Sequence, residues 1–307
     1  MRELLAATHL TVSFGAVRAV RDVSLLLHAG ETVAVVGESG CGKSVVAQSV
    51  MRLLPEESEV TGTVTFCGKS ILHAPEKEME QLRGTEMAMV FQSPERSLNP
   101  VLTIEKQLTE PQILHGLCDR EEARIRAAEI LGKLGLEPER ILPAYPWMCS
   151  GGMCQRILFA AVMLLHPKLV IADEPTKGLD ADLIGGLAQM LADIPKNGDT
   201  GLMLITHDIG LAGRLADRLL VMYGGMIVEE GKTADILEHP CHPYTRGLLA
   251  SLPENGFHPI PGISPALSDL PCGCVFHPRC CSADEMCRVS VPPLRETGDR
   301  RVRCLRC

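Results

Sequence analysis

The sequence predicts an α/β protein built on a largely parallel sheet, with a helical segment inserted and a tail of different character. Short apolar runs alternate with helical patterns, and a glycine-rich loop joins one of these runs to a helix. A domain boundary is expected near Leu237, and after "EHPCHPYTRGLLASLP" the chain turns rich in Pro, Cys and Arg and loses its periodicity.

The elements follow in order. "LLAATHLTVSF", "RAVRDVSLLL" and "ETVAVVG" read as strands, the third ending in the glycine-rich loop. "KSVVAQSVMRLL" has helical apolar spacing, and Pro55 is expected to stop it. A strand "GTVTFCG", a short polar helix over Glu76 to Leu82 and a strand "EMAMVFQ" come next. From about 98 to 166 the pattern is helical, with apolar and charged faces in "EEARIRAAEILGKLGL". Strand and helix then alternate again: "KLVIADE", a helix from Ala181, "GLMLITH", a helix from Ile209, and "RLLVMYGG" paired with "MIVEEG" as a hairpin. The expected division is 1–237 and 238–307.

With 307 residues and 46% apolar content the chain can bury a substantial core. A net charge of −8 without a long basic block argues against a nucleic-acid surface, so no nucleic-acid partner is expected. "MRELLAATHL" lacks a sustained apolar core and a cleavage site, and no run approaches the roughly 18 apolar residues that span a bilayer. The expected place is the cytoplasm. Seven of the 13 cysteines lie after Pro271. A reducing compartment disfavours disulfides, so that clustering suggests a metal or cluster site.

Gly37-x4-Gly42-Lys43-Ser44 matches the phosphate-loop pattern between an apolar strand and a helix. Such a loop lets backbone N–H groups approach phosphate oxygens, so Gly37, Glu38, Ser39, Gly40, Cys41, Gly42, Lys43 and Ser44 are the candidate nucleotide contacts, Lys43 for phosphate and Ser44 for Mg2+. Cys41, near a helix N-terminus, could have a lowered pKa; a small residue tolerated in a loop is the plainer reading. "LVIADE" delivers two acids to a strand end: Asp173 as a magnesium ligand and Glu174 as the base that polarises water. Two acids capping a loop are the bland alternative. Gln92 and His207 end other strands, at the edge where open α/β sheets bind ligands. Ser150-Gly151-Gly152 opens a helix and forms a second anion cradle.

Together these motifs resemble the nucleotide-binding subunit of an ABC transporter, from the first strands to about Gly231. "GESGCGKS" is similar to Walker A, "VFQ" to the Q-loop, "CSGG" to the signature, "LVIADE" to Walker B, "GLD" to the D-loop and "ITHD" to the switch histidine. The resemblance implies a P-loop ABC nucleotide-binding domain with a RecA-like core, an antiparallel β subdomain and an inserted helical subdomain. It also implies ATP and Mg2+ as ligands, and two cassettes packed head to tail, with Ser150, Gly151 and Gly152 closing over the partner's ATP. Phe14 falls where the family places an aromatic against adenine. Cys149 and Cys154 stand where the family usually has a leucine or phenylalanine and an arginine, which puts the partner's site in doubt.

"HPCHPYTRGLLASLP" and "LPCGCVFHPRCCSADEMC" resemble the C-terminal extension of ATPases in oligopeptide, dipeptide and nickel importers. In that branch four cysteines recur, matching Cys274, Cys280, Cys287 and Cys304. Four thiolates suit a [4Fe–4S] cluster or zinc, and reduced structural thiols are the third option; spacing does not choose. The implied role is hydrolysing ATP for an importer at the cytoplasmic face of the membrane. Its implied partners are a second ATPase subunit, identical or paralogous, two transmembrane permeases and an extracytoplasmic binding protein. The competing readings are a soluble ABC ATPase of DNA repair or translation and a P-loop kinase; the kinase leaves Ser150-Gly151-Gly152 and His207 unexplained.

Overall fold

The computed structural model describes residues 2–91, 97–177 and 181–307. Gln92 and the Gly178-Leu179-Asp180 stretch therefore lie outside the described residues. The chain divides into two compact units, residues 1–74 with 203–307 and residues 75–202.

The first unit opens with β1 (Glu3–Phe14), β2 (Val17–His28), β3 (Thr32–Val36), α1 (Lys43–Met51), β4 (Ser58–Phe66) and β5 (Lys69–Ser70). An antiparallel sheet of order β2-β1-β4-β5 forms from these, the β subdomain that the resemblance implies. Leu5, Ala7, Leu10 and Val12 of β1 are all buried. All five residues of β3 are buried as well, as befits an interior strand. Helix α1 ends at Met51 and does not run on to Pro55. Arg52 takes a left-handed φ of 51°, and the amides of Arg52 and Leu53 donate to the carbonyls of Ser49 and Gln48. That Schellman-type ending satisfies the last carbonyls without any need for proline.

Residues 75–202 hold α2 (Glu76–Leu82), β6 (Met87–Val90), α3 (Ile104–Leu114), α4 (Arg120–Lys133), α5 (Pro138–Ile141), α6 (Gly151–Met163), β7 (Leu169–Asp173) and α7 (Ala181–Asp193). Strands β6 and β7 pair in parallel from Met87 opposite Leu169 to Val90 opposite Ala172. The expected helical insertion is present as α3 to α6. Asp119 caps α4 by accepting the Glu122 amide at 2.9 Å. Ala123, Ala127 and Leu131 form the buried stripe of α4, while the fully buried Gln112 of α3 donates to the carbonyl of Ala123.

Strand β8 (Gly201–Thr206) leads back into the first unit, followed by α8 (Ile209–Leu215), β9 (Arg218–Tyr223), β10 (Met226–Lys232), α9 (Thr233–Glu238), α10 (Pro243–Ala250), α11 (Glu285–Val289), β11 (Arg295–Thr297) and β12 (Arg300–Val302). Its second sheet runs β11-β12-β10-β9-β3-β8. Strand β9 is parallel to β3, and β9 and β10 form the expected hairpin with Tyr223 opposite Met226. The tail, read from sequence as aperiodic, adds two strands: β12 pairs with β10, Glu229 opposite Val302 and Glu230 opposite Arg301. Residue 237 falls inside α9.

A buried carboxylate anchors the return of the chain from β10. Glu229 is wholly buried, and its two oxygens accept the amides of Cys241 at 2.8 Å and His242 at 2.9 Å. Arg300 stands 3.6 Å away and balances the charge. Replacing Glu229 with Ala strands both amides and should lower unfolding free energy by about 3 kcal/mol. Glu229→Gln keeps one acceptor and should lose less; urea unfolding midpoints measure the difference, and equal midpoints for all three proteins would remove Glu229 as the anchor.

Candidate functional site

The loop between β3 and α1 is shaped by backbone proximity. A Cβ on Gly37 would strike the carbonyl oxygen of Met222, and one on Gly42, at φ 102°, would strike that of Ala19. Only glycine fits either place. Gly42 caps α1 with no side chain closing the helix end, which leaves a helix N-terminus of the kind that receives anions. Lys43 is buried and its Nζ donates to the carbonyls of Gly37 at 2.8 Å and Glu38 at 3.0 Å. The loop thus wraps its own lysine, holding a positive charge at the helix mouth. These residues fit a nucleotide's phosphates: a close-packed glycine backbone, an open helix end and a fixed cation come together in one loop.

Cys41 does not behave as an activated thiol. Burial pushes its pKa up against the smaller opposing pull of Lys43, so the plainer reading, a small residue packed in the loop, stands. Its carbonyl accepts the Gly225 amide at 3.1 Å, tying the loop to the β9–β10 turn. Phe14 closes β1 and is exposed. His207 follows β8, the neighbour of β3 in the sheet, and is exposed.

The second unit carries the acids and the signature-like stretch. All five residues of β7 are buried, and Asp173 ends it. Glu174 follows in the left-handed region at φ 48°. A non-glycine residue held there carries some backbone strain. Both acids are buried. Ser150 is the N-cap of α6, its Oγ accepting the Met153 amide at 3.4 Å, and Gly151 and Gly152 form the first turn as expected. Cys154 is buried with its thiol on the Pro146 carbonyl. Arg156, two residues beyond Cys154 in α6, donates to the carbonyls of Gly152 at 3.2 Å and Leu134 at 3.1 Å.

In the tail, Cys274, Cys280, Cys287 and Cys304 line one small cavity together with His242 and Phe276. Burial pushes the thiols of Cys274, Cys280 and Cys287 up, and the negative charge of neighbouring cysteines adds to the effect. The amide of Cys274 donates to the Cys287 carbonyl at 2.8 Å. Among the described residues, however, no group of three or more His, Cys, Asp or Glu side chains could hold a metal ion.

Sequence reasoning passed over two residues beside the phosphate loop. Tyr244 of α10 accepts the Glu38 amide at 2.9 Å through its hydroxyl, and Arg279 grips the Glu38 carboxylate with two nitrogens, at 2.8 and 3.1 Å. Neither has a local signal; a tyrosine and an arginine in a tail without periodicity become visible only through pairing across the fold.

Two family descriptions match the sequence: "ABC transporter" over residues 20–177 and "Oligopeptide/dipeptide transporter, C-terminal region" over residues 228–287. The oligopeptide transport ATP-binding protein OppD of Bacillus subtilis (strain 168) is 41% identical, covering 96% of this chain and 86% of that protein. The dipeptide transport ATP-binding protein DppD of the same organism is 43% identical over 91% of this chain and 87% of its own length. Among solved structures, the ATP-binding cassette MJ0796 in a dimeric post-hydrolysis state bound to ADP and Pi is similar with a TM-score of 0.67 and 28% identity, covering 75% of this chain and 99% of that one.

The loop geometry separates two glycines that look equivalent in sequence. Gly40, at φ 80°, has open space where a Cβ would sit, so Gly40→Ala should cost about 1 kcal/mol of backbone strain alone. Gly42→Ala adds a backbone clash and should cost about 3 kcal/mol or more. Denaturant unfolding of the two variants measures this; equal losses would show that close approach to Ala19 does not constrain the loop.

Proposed function

This chain belongs to the ATP-binding proteins of the ABC transporter family, and from that membership we propose that it is the ATP-hydrolysing subunit of a peptide importer. The observation that carries this reading is the joint match of an ABC cassette and an oligopeptide/dipeptide-type C-terminal region on one chain. Relatives that are about 40% identical over nearly the whole chain bear the names of oligopeptide and dipeptide transport ATP-binding proteins. The same C-terminal match weighs against a soluble repair or translation ATPase. Among the described residues no helix is long and apolar enough to cross a membrane. A peripheral place at the cytoplasmic face, beside two permease subunits and served by an extracytoplasmic binding protein, belongs to the proposal. So does the division into a cassette of 1–237 and an extension of 238–307.

In the proposed mechanism the backbone from Gly37 to Ser44 receives the phosphates, with Lys43 neutralising their charge, while Phe14 stacks on the base. Ser44 and Asp173 are the residues that would hold magnesium, which would supply further positive charge to the phosphates. Glu174 accepts a proton from the attacking water. His207 steadies the γ-phosphate, and Gln92 senses the metal and relays its state to the membrane subunit. Ser150, Gly151 and Gly152 serve a second subunit's nucleotide, identical or paralogous. Loss of γ-phosphate contacts on hydrolysis then releases the pair. The dimeric state of the similar MJ0796 cassette supports the pairing of two cassettes.

Glu174→Gln should lower ATP turnover by about 100-fold or more while leaving an ATP-bound dimer that size-exclusion chromatography detects. Unchanged turnover would show that another group takes the proton.

For the tail, the proposal is a [4Fe–4S] cluster on Cys274, Cys280, Cys287 and Cys304, supported by their sharing of one cavity. As described, their geometry does not form a metal group, and no step of hydrolysis is assigned to the cluster. Protein purified without oxygen should carry about four iron and four sulfide per chain; folded, colourless, metal-free protein would end the cluster proposal.

A further inference from the structure

Glu38, the second residue of the phosphate loop, is held from both of its polar ends by the C-terminal extension. Its amide donates to the hydroxyl of Tyr244 at 2.9 Å. Its carboxylate takes the two-pronged contact from Arg279, 241 residues away in sequence. That guanidinium is itself fixed: Nε donates to the Pro261 carbonyl at 3.0 Å, Nη1 to the Tyr223 hydroxyl at 3.3 Å and Nη2 to the Ile260 carbonyl at 3.4 Å. The Arg279 side chain is only 5% exposed, against 26% for Glu38. Tyr223, Tyr244 and Phe276 pack ring on ring with centroids 4.6 to 5.4 Å apart, so the tyrosine hydroxyls cannot swing away independently. Desolvation pulls the Arg279 pKa down, but its hydrogen bonds to Glu38 and Tyr223 outweigh that and raise it overall. Burial likewise raises the Tyr244 pKa, so its hydroxyl stays neutral.

A loop that must present several amides to one anion depends on its entry conformation, and Glu38 is where this loop leaves β3. Paired charges in a two-pronged, nearly buried contact are among the stronger polar interactions in proteins. We propose that Tyr244 and Arg279 are positioning residues for the phosphate loop: the C-terminal extension holds Glu38 and thereby sets the shape in which Gly37 to Ser44 receive nucleotide. The nucleotide half of this statement rests on the proposed function; the holding of the loop does not.

The experiment therefore has two arms on the full chain. In the first, hydrogen–deuterium exchange is followed without nucleotide in peptides covering Gly37 to Ser44, for wild type, Arg279→Gln, Glu38→Gln, the double variant and Tyr244→Phe, which keeps the ring in its cluster. Each single variant should speed exchange by about tenfold. In the second, fluorescent mant-ADP with Mg2+ is titrated into the same proteins. Arg279→Gln and Glu38→Gln should each weaken binding by about tenfold, and the double variant should be no weaker than the singles by more than about twofold, because one contact is being removed twice. Arg279→Lys, which keeps the charge but loses the fork, should fall between wild type and Arg279→Gln and serves if the latter fails to fold.

Unchanged loop exchange in the variants would overturn the proposal, as would losses that add in full in the double variant. Faster exchange with a wild type that binds no mant-ADP would leave the holding of the loop standing and remove the nucleotide reading instead.

Discussion

A phosphate-binding loop cannot build a core of its own, because side chains on its inner surface would occupy the place of the anion. Its shape has to be imposed from outside, and here the imposition is steric on one side and polar on the other. Gly37 and Gly42 run so close to the carbonyls of Met222 and Ala19 that a single methyl group is excluded. On the polar side Lys43 is clasped by the loop's own carbonyls, the Gly225 amide holds the Cys41 carbonyl, and Tyr244 and Arg279 hold Glu38. The buried strand β3, the β9–β10 hairpin and the tail all meet at this loop.

That convergence explains why residues 203–307 and 1–74 form one compact unit although the whole of the other unit lies between them in sequence. Glu229 belongs to the same logic. It lies on β10, yet its oxygens cap the start of the segment that carries His242 and Tyr244. Burial pushes the His242 pKa down to about 3, so the ring stays neutral and its Nδ1 accepts the Tyr244 amide at 3.0 Å. One buried carboxylate and one neutral imidazole thus orient the helix whose tyrosine reaches the loop.

Much of this was legible in the sequence where the signal was local. The strand-like run of β1, the continuous apolar runs of β3 and β7, the glycines around Lys43 and the serine opening α6 all report on neighbours a few residues away, and all appear as read. The end of α1 was misplaced because Pro55 is a conspicuous stop, whereas the real one is Arg52 accepting a left-handed φ that nothing in its side chain announces. Strands β11 and β12 were invisible for a different reason. They are three residues each and mostly charged, β11 exposed and β12 with one buried residue, Val302, so no apolar pattern marks them; Thr297-Gly298-Asp299 is the turn signal that could have. The pairing of Glu38 with Arg279 has no signature at all, since each is an ordinary surface-type residue until the fold brings them together.

The small hairpin β11–β12 has a bearing on where this polypeptide can be cut. Strand β10 shows one side to β9 and the other to β12, so the hairpin shields a row of main-chain donors and acceptors that would otherwise solicit strands from other molecules. A fragment trimmed at the expected boundary, near residue 237, would keep every recognised nucleotide motif and lose that shield, the Tyr244 hydroxyl and the Arg279 fork together. Such a piece would be sticky at its border and slack at its phosphate loop, however complete it looked on paper.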